Sequence, residues 1–521
     1  MEIIAILLMM CIGSFCIFLG IVRKMDYPYG GSDHAYHFKL IKFIKNNKHW
    51  LVSKFDSFNQ HIAVCPQLYH WICSFFSDCF LLRKANWIGY VLMGLMIASF
   101  NGFIYLCMLY LGLEFNLLEI ALANLLLVTL PIIYVIWNAK FMGLSARAFG
   151  LLLVYWYLFG LYFYLLFGGV ELFLIVLLFV FFCLLGSQFA YQFVLFSSVF
   201  IAVVSSHYEI LWLIPLSVVL LFVLNYSYAL GFFTTQFHHK RNYAKFMIKD
   251  CHFKARFSIW RDFVYDFWIK RDKNYLLNNP VFEVLIGAFA ACVALVGYWW
   301  VADSSEVEVW NLYVLLSSSF FAFLVTSLRI ARFLGEPQRY IEFGIPFATL
   351  LCVLLFPLWV NVLLIVGNVW VLLWYIKNSQ FHRQLPEHIK IREELMRDLQ
   401  SHFNEEYRHL LSNDHEIARH FYITAYEPHM PNYCKFYKDR EDFLGNYYQG
   451  DYHRISPQYL LKEMKLCQRG ILILYTNLLK FYDEEALIPS LENIQLTYLK
   501  SIGKFKIFKF HPKDIIPKES L

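Results

Sequence analysis

The sequence predicts a polytopic α-helical membrane protein that ends in a small soluble α/β or α+β domain. Of its 521 residues, 59% are hydrophobic and only 16% are charged, and the mean hydropathy is +0.49. Soluble globular chains carry about 25% charged residues, so this composition lies outside their range. Long apolar runs recur up to residue 376, and charged residues become frequent beyond it. We therefore divide the chain into a membrane domain, 1–376, and a soluble domain, 377–521.

The membrane domain contains about eleven apolar runs that meet or approach the length of about 20 residues that a bilayer core requires. The first run, Ile3 to Val22, has neither a basic segment before it nor a small-residue cleavage site after it. We therefore expect a retained helix and not a cleaved signal peptide. The runs begin near Ile3, Trp87, Leu117, Ala148, Glu171, Ala190, Glu209, Val281, Trp310, Tyr340 and Leu358.

The loop after the first span, residues 23–85, holds a compact group of polar residues. Two glycines permit a tight turn there, and Ser32 or Asp33 can cap the helix that follows. Asp33 and His37 then fall one turn apart on the same face of that helix. The pattern from Asp33 to Trp50 is amphipathic, as is typical of a helix lying flat on a membrane, and Pro66 to Phe76 is a second such stretch. A surface loop with incidental polar groups is the alternative.

Ionisable residues at the ends of other apolar runs are further candidates. Arg147 and His207 lie at such boundaries, and charged groups near membrane depth are costly enough to suggest a function. Ordinary loops whose side chains reach toward water are the alternative. A second polar concentration, at the start of the run near Tyr340, contains Arg329, Arg332, Glu336, Arg339 and Glu342. Arginine binds phosphate oxygens through two parallel hydrogen bonds, and the amides of a following helix would add to an anion site.

The basic segment from Gln236 to Asn279 alternates lysine and arginine with aromatic residues. We expect an amphipathic helix on a headgroup surface there, with a solvated loop as the alternative. The net charge of +6 lies in the loops and suits membrane lipids or a lipid phosphate. No nucleic-acid-binding motif accompanies it, so no nucleic-acid partner is expected.

The soluble domain is predicted to combine helices and strands. Its apolar periodicities favour a helix at Glu387 to Leu411, a buried strand at Ile471 to Tyr475, a helix at Leu491 to Ile502 and a strand at Lys504 to Phe510. The stretch from His429 to His453 is rich in tyrosine and charge, and reads either as a recognition loop or as plain connecting structure.

The order of these features resembles the GT-C superfamily of integral membrane glycosyltransferases, which includes protein O-mannosyltransferases and the lipid A aminoarabinose transferase. Gly31-Ser-Asp-His-Ala-Tyr-His37, followed by Pro66-Gln-Leu-Tyr-His70, is similar to the first-loop pattern of bacterial members. Gly335-Glu-Pro-Gln-Arg-Tyr340 is similar to an arginine-bearing segment before a late span. The architectural match covers most of the membrane domain, and the motifs identify a superfamily and no particular substrate.

The resemblance implies an inverting transfer of a sugar from a polyprenyl phosphate or diphosphate to an acceptor hydroxyl. The acceptor is a glycan, a lipid or a protein. Asp33 is the candidate general base, and His37 orients it, contacts phosphate or helps to bind a divalent cation. Superfamily members differ in metal dependence, so the resemblance leaves the cation and every metal ligand open. The candidate substrate-binding residues are His34, Arg147, His207, Arg332, Glu336, Arg339 and Tyr340, with Arg339 first for the donor phosphate.

The resemblance also implies a site on the extracytoplasmic face, in a bacterial inner membrane. With a cytoplasmic amino terminus, eleven spans place the Asp33 loop, the Arg339 segment and the soluble domain on that face. The same count puts the basic segment outside and the acidic turn Ala302 to Glu308 inside, against the positive-inside tendency. Either the count is wrong by one between Glu171 and Tyr226, or the basic segment lies on anionic headgroups.

Two other functions compete with transfer on the sequence alone. A transporter or flippase for a lipid-linked glycan also needs many spans and basic residues, although no inverted repeat is visible. A non-catalytic subunit of a polysaccharide assembly system would use the same fold without its chemistry.

Overall fold

Helices form nearly all of the described part of the membrane domain in a computed structural model of the protein. The described residues of that domain are 2–24, 34–52, 65–135, 143–242, 259–265, 268–269, 279–301 and 306–378. Those of the soluble domain are 394–395, 398, 409–412, 427–428, 464–465, 468–475, 494–503 and 505–512. Asp33, Ala302–Ser305, the stretch 429–453 and most of the basic segment lie outside the described residues.

The helices follow the predicted apolar runs closely. The first half of the membrane domain contains α1 (Glu2–Arg23), α2 (His34–Asn47), α3 (Leu68–Cys73), α4 (Asp78–Arg83), α5 (Asn86–Leu111), α6 (Leu117–Thr129), α7 (Ile132–Val135), α8 (Ala146–Phe167), α9 (Val170–Gly186) and α10 (Gln188–Val204). The second half contains a 3₁₀ helix (Tyr208–Trp212), α11 (Leu213–Leu224), α12 (Tyr226–Asn242), α13 (Ile259–Tyr265), α14 (Pro280–Gly287), α15 (Phe289–Val301), α16 (Val307–Ser327), two further 3₁₀ helices (Arg329–Leu334 and Pro337–Gly344), α17 (Ile345–Leu355) and α18 (Leu358–Asn378).

The lengths of these helices bear on the number of spans. Within the described ranges, five segments are long and apolar enough to cross a membrane, and α14 with α15 makes a sixth that is bent by 75°. Shorter apolar helices of 10–17 residues lie beside them. The chain is therefore an integral membrane protein, and the number of about eleven spans stays a prediction. The five long segments are Ile3–Arg23, Asn86–Leu111, Ala146–Phe167, Val307–Ser327 and Pro337–Leu355.

Local signals define where several of these helices begin and end. At the start of α6, the Asn116 side chain accepts from the Glu119 amide at 3.0 Å, and the Glu119 carboxylate accepts from the Asn116 amide at 2.9 Å. This reciprocal capping box satisfies two amides that would otherwise lack partners. Gly112 ends α5 with a φ of 66°, a left-handed conformation that glycine adopts without a steric penalty. Short polar connections of this kind let successive helices pack side by side.

A pair of buried asparagines joins α5 to α6 inside the membrane domain. The Asn101 amide nitrogen donates to the Asn124 side-chain oxygen at 2.8 Å, and the Asn124 amide nitrogen donates back at 2.9 Å. Ser14 of α1 also donates to the Asn124 oxygen, at 3.3 Å. Because the lipid core offers no water, each polar group needs such a partner, and the pair links three helices in one arrangement.

Replacing one asparagine of this pair should lower the free energy of unfolding, because the other asparagine then stays buried without its partner. Asn124→Leu leaves the Asn101 amide buried without its reciprocal partner, and we expect a loss of about 1–3 kcal/mol in the free energy of unfolding. The double variant Asn101→Leu/Asn124→Leu removes both amides and should cost less than the sum of the two single changes. Unfolding of the purified protein in detergent micelles measures the cycle, and additive losses would contradict the pairing.

The soluble domain contains a five-stranded mixed sheet in the order β2-β1-β3-β5-β4. Its strands β1 and β2 pair in parallel, β1 and β3 also pair in parallel, and β5 is antiparallel to both β3 and β4. The two predicted strands are confirmed as β3 and β5. The strands are β1 (His409–Ser412), β2 (Glu427–Pro428), β3 (Gly470–Tyr475), β4 (Ile494–Ile502) and β5 (Phe505–Pro512).

One helix prediction in the soluble domain is wrong, and a second, helical at its described residues 394–395 and 398, is wrong only at its end. The predicted helix Leu491 to Ile502 is a strand from Ile494 onward, because pairing with β5 supplies its backbone hydrogen bonds along its length. The predicted helix Glu387 to Leu411 gives way to strand β1 at His409, where two consecutive leucines are fully buried between β2 and β3. A short apolar run of this kind fits a central strand as well as a helix, so periodicity alone could not separate them.

Candidate functional site

Helix α8 relates the two ends of the membrane domain, because it carries polar residues at both. Arg147 lies in its first turn and Tyr164 near its end, about 25 Å apart at about 1.5 Å per residue. Residues 143–147, including the start of α8, face the first loop, and we call this the Arg147 end. The other end of α8 lies near the start of α16, because the Tyr162 hydroxyl of α8 donates to the Glu308 carbonyl at 3.3 Å.

At the Arg147 end, three consecutive backbone amides receive side chains from earlier in the chain. The amide of Gly143 donates to the side chain of Asn86, and the amide of Leu144 donates to Nδ1 of His34 at 2.8 Å. The amide of Ser145 donates to the Tyr69 hydroxyl at 3.2 Å. Amides that precede a helix have no partner within it, so these contacts satisfy them and hold the first loop against α8.

The buried centre of this end is an ion pair between Arg147 and Glu342. Nη2 of Arg147 lies 2.6 Å from Oε1 of Glu342, and their side chains are only 11% and 3% exposed. Ser145 accepts from the Arg147 amide at 3.3 Å and so fixes the first turn of α8. The Tyr155 hydroxyl donates to the Glu342 carbonyl at 3.3 Å. One ion pair therefore joins the start of α8 to the last 3₁₀ helix.

Arg339 stands beside this pair and has a carboxylate partner of its own. Its guanidinium forms an ion pair with Glu336 and lies 4.7 Å from the centre of the Phe189 ring. Arg147 interacts electrostatically with Arg339 and with Glu336, in addition to Glu342. Two arginines and two carboxylates thus form one neutral cluster, which we call the arginine cluster. Nε of Arg339 is buried and has no hydrogen-bond partner among the described residues.

Neighbouring side chains hold the segment that carries Arg339. The Tyr340 hydroxyl donates to Oε1 of Gln192 at 2.9 Å, and the Gln338 amide nitrogen donates to Oε2 of Glu283 at 2.8 Å. Gly335 has a φ of 104°, and a Cβ there would lie 3.1 Å from the Phe189 ring. The turn before Pro337 therefore favours glycine, and it positions Arg339 against that ring.

Two histidines from the first loop meet next to these contacts. Nδ1 of His37 lies 2.7 Å from Nε2 of His70, and Nδ1 of His70 lies 3.1 Å from the Pro66 carbonyl. Burial lowers the pKa of His70 well below its usual value, and the neighbouring His37 lowers it further. His70 is therefore neutral at physiological pH. Burial also raises the pKa of the Tyr69 phenol, which stays protonated.

The structure brings most of the predicted site residues to the Arg147 end. His34, Glu336 and Tyr340 are buried there, with His37, Arg147 and Arg339 beside them. Arg332 belongs to the 3₁₀ helix Arg329–Leu334 of the same connection, and the position of its side chain is outside the described structure, as is Asp33.

His207 is not brought to this site. Its Nδ1 lies 2.7 Å from Oε1 of Glu209, which also accepts from the Tyr164 hydroxyl at 3.0 Å. The three residues lie at the opposite end of α8 from Arg147. A histidine at an apolar boundary marks either end of a membrane helix equally well, so the sequence could not assign the end.

Glu342, His70 and Tyr69 complete the site and were not among the predicted site residues. Glu342 lies one turn after Arg339 in the same 3₁₀ helix but bonds to Arg147 across 195 positions. A carboxylate inside an apolar run is costly unless it is paired, and this was the available signal.

The described residues do not form a metal site. They contain no group of three or more histidine, cysteine, aspartate or glutamate side chains that could hold a metal ion. The 2.7 Å separation of the His37 and His70 nitrogens is a hydrogen-bond length. Two nitrogens that bind one tetrahedral ion at about 2.0–2.1 Å would lie farther apart than that.

The basic segment lies at the Arg147 end in so far as it is described. The Trp260 ring of α13 lies 6.4 Å from Phe323, near the end of α16, and the Tyr228 hydroxyl of α12 donates to the Cys65 carbonyl of the first loop at 2.8 Å. Only Trp260 belongs to the segment, and its contact places α13 at the Arg147 end, whereas Glu308 lies at the opposite end. This arrangement matches the predicted grouping of loops, and which end faces the cytoplasm stays a prediction.

The fold and the arginine cluster define a polytopic membrane protein with a charged site at one end of its helices. Among the solved structures that are similar to it are two of one protein. The crystal structure of ArnT from Cupriavidus metallidurans bound to undecaprenyl phosphate is 11% identical, with 98% of this chain and 97% of that chain covered and a TM-score of 0.43. The structure of the same protein in the apo state is 12% identical, with 95% and 98% covered and a TM-score of 0.44.

No protein-family model and no curated protein sequence matches the chain. The functional arguments below rest on the residues of this chain.

Breaking the buried ion pair should destabilise the protein strongly. Glu342→Gln leaves the Arg147 cation buried without its partner, and we expect a loss of about 3–5 kcal/mol in the free energy of unfolding. Asp78→Asn is the matched control, because Asp78 pairs with Lys45 at 3.0 Å where both side chains are about 40% exposed. Exposed pairs contribute about 0–1 kcal/mol. Equal losses for the two variants, measured by unfolding in detergent, would contradict the importance of the buried pair.

Proposed function

We propose that the protein is a membrane glycosyltransferase that moves a sugar from a polyprenyl phosphate or diphosphate to an acceptor hydroxyl. The observation that carries the proposal is the arginine cluster, in which Arg147 and Arg339 lie together at the end of the membrane helices. A lipid-linked phosphate has its charged group at this depth and its chain in the bilayer. Two arginines at the end of apolar helices suit that combination of charge and lipid.

The donor phosphate is assigned to Arg339, with Arg147 behind it. Nε of Arg339 is a buried donor with no hydrogen-bond partner in the described part of the chain, and the Phe189 ring holds the guanidinium plane. Glu336 and Glu342 neutralise the two cations before substrate binds. As the bond from the sugar to the phosphate breaks, negative charge grows on the leaving phosphate oxygen. Positioned guanidinium groups stabilise that charge more than they stabilise the bound substrate, which is how they accelerate the reaction.

Asp33 is assigned as the general base. It directly precedes His34, whose ring holds the first loop against the start of α8, within four residues of Arg147. The acceptor oxygen forms a bond to the anomeric carbon while its proton passes to the Asp33 carboxylate. The electron pair of the breaking bond leaves with the phosphate. A single displacement of this kind inverts the anomeric carbon and releases polyprenyl phosphate or polyprenyl diphosphate, according to the donor.

The first loop, the Arg339 segment and the soluble domain are assigned to the extracytoplasmic face of a bacterial inner membrane. Helix α13 of the basic segment shares the Arg147 end, where the cations of the segment would meet anionic headgroups. The acceptor is a glycan, a lipid or a protein that approaches from that face.

Replacing the base separates transfer from the competing functions. Asp33→Asn keeps the side-chain shape but removes the proton acceptor, so transfer should fall by about 10²–10⁴-fold while binding of polyprenyl phosphate is retained. Release of polyprenyl phosphate from a panel of polyprenyl-phosphate sugars measures transfer. Unchanged transfer would exclude Asp33 as the base. Movement of lipid-linked glycan across vesicles, with no transfer by the wild type, would favour a flippase.

Replacing Arg339 tests the phosphate site. Arg339→Ala should weaken binding of polyprenyl phosphate and lower transfer by about 10²–10³-fold, because a positioned cation is lost from the leaving group. Arg23→Ala is the control, since Arg23 is exposed at the end of α1 and should leave both quantities unchanged. Undiminished binding by Arg339→Ala, measured with polyprenyl phosphate in detergent, would show that the phosphate binds elsewhere.

A further inference from the structure

The hydrogen-bonded pair of His37 and His70 has no assigned role in the transfer reaction described above. Its two imidazoles are held 2.7 Å apart through Nδ1 of His37 and Nε2 of His70, with ring centres 5.0 Å apart. A hydrogen bond between two imidazoles requires one nitrogen to carry the proton and the other to accept it. The protonation of the pair is therefore defined by its other contacts.

The Pro66 carbonyl decides which nitrogen of His70 carries the proton. A carbonyl oxygen only accepts, so Nδ1 of His70, at 3.1 Å, must be the donor. His70 is buried, with 1% of its surface exposed, and it is neutral, so its Nε2 has no proton and accepts. Nδ1 of His37 must then donate to it. His37 consequently gains and loses its own proton at Nε2, whichever group Nε2 contacts.

The other titratable groups around the pair do not compete for this role. Tyr69 stays protonated, burial raises the pKa of the Cys73 thiol to about 12, and Nδ1 of His34 is committed to the Leu144 amide. Asp78 of α4 is paired with Lys45. The titratable groups on the helices packed around the pair include His34, Tyr36, Lys39, Lys42 and Lys45 on α2, Tyr69 and Cys73 on α3, Asp78, Cys79 and Arg83 on α4, Arg147 on α8 and Cys183 on α9.

We propose that His70 is a positioning residue that fixes Nδ1 of His37 as a donor, and that His37 relays the proton lost by the acceptor hydroxyl. The proposal rests on the proposed function. The proton passes from the acceptor oxygen to the Asp33 carboxylate, then to Nε2 of His37, and finally to water. While His37 is an imidazolium, its Nδ1 donates to neutral His70, and a hydrogen bond from a cation is stronger than one between neutral groups. His70 thereby stabilises the protonated form of His37 without leaving its place.

The relay predicts different results for two replacements of His70. His70→Gln keeps an oxygen near the position of Nε2, so it should preserve the acidic limb of the pH profile of transfer. His70→Phe keeps the ring volume but removes the acceptor. We expect transfer at neutral pH to fall by about 10–100-fold, the usual effect of losing a partner that orients a working imidazole, and the acidic limb to move to lower pH. A purely structural role would lower the rate without moving the limb.

A second measurement needs no variant that must fold at His70. In ¹⁵N-histidine NMR spectra of the resting wild-type protein, the His37 signals, assigned by their loss in His37→Gln, should show Nδ1 protonated throughout while Nε2 titrates. His49→Gln is the control, because His49 is exposed in the same loop. Its replacement should leave the titration of the His37 signals unchanged. Titration of His37 at Nδ1 would overturn the proposal.

The activity measurements separate the relay from the proposed function. An active His70→Phe protein with an unmoved acidic limb would overturn the relay alone. A wild-type protein with no transfer activity on any donor of the panel would overturn the proposed function, and the proton step with it.

Discussion

The contact between Arg147 and Glu342 is the constraint on which the site depends. It joins the first turn of α8 to a 3₁₀ helix that lies 195 positions later, and both side chains are almost fully buried. A buried cation without a partner is far more costly than an exposed one, so the two segments cannot separate without a large loss of stability. Arg339 is three residues before Glu342, and the same contact therefore sets the position of the second arginine.

The first loop depends on the same end of α8. Three side chains that lie in this loop or directly after it accept hydrogen bonds from the amides of Gly143, Leu144 and Ser145, immediately before the helix that carries Arg147. Backbone amides that need partners in any case thus hold the loop. The contact of His34, which follows Asp33 in sequence, with the Leu144 amide links the loop to the helix that carries Arg147.

Local pattern was sufficient for much of the fold, because the apolar runs and their caps are properties of neighbouring residues. The amphipathic helix of the first loop was predicted in this way, and in the structure Leu40 and Ile44 are buried on its apolar stripe. Strand β4 was mistaken for a helix because its partner β5 provides the hydrogen bonds that decide its conformation.

The site was predictable only in part, for a related reason. Arg339 and Glu336 stand out as charges before an apolar run, whereas the pairing of Arg147 with Glu342 and of His37 with His70 is a product of packing. His207 shows the limit most clearly. It has the same local signature as Arg147, an ionisable residue at an apolar boundary, and lies at the opposite end of the helices beside Glu209. Only the path of the chain through the membrane separates the two.

The position of a bound lipid phosphate tests most directly whether the arginine cluster is the donor site. A structure of the protein determined with polyprenyl phosphate should place the phosphorus within about 4 Å of the guanidinium groups of Arg147 and Arg339, with the lipid chain directed between the helices. Phosphate density beside His207 and Glu209, at the other end of α8, would contradict the assignment of the arginine cluster as the donor site.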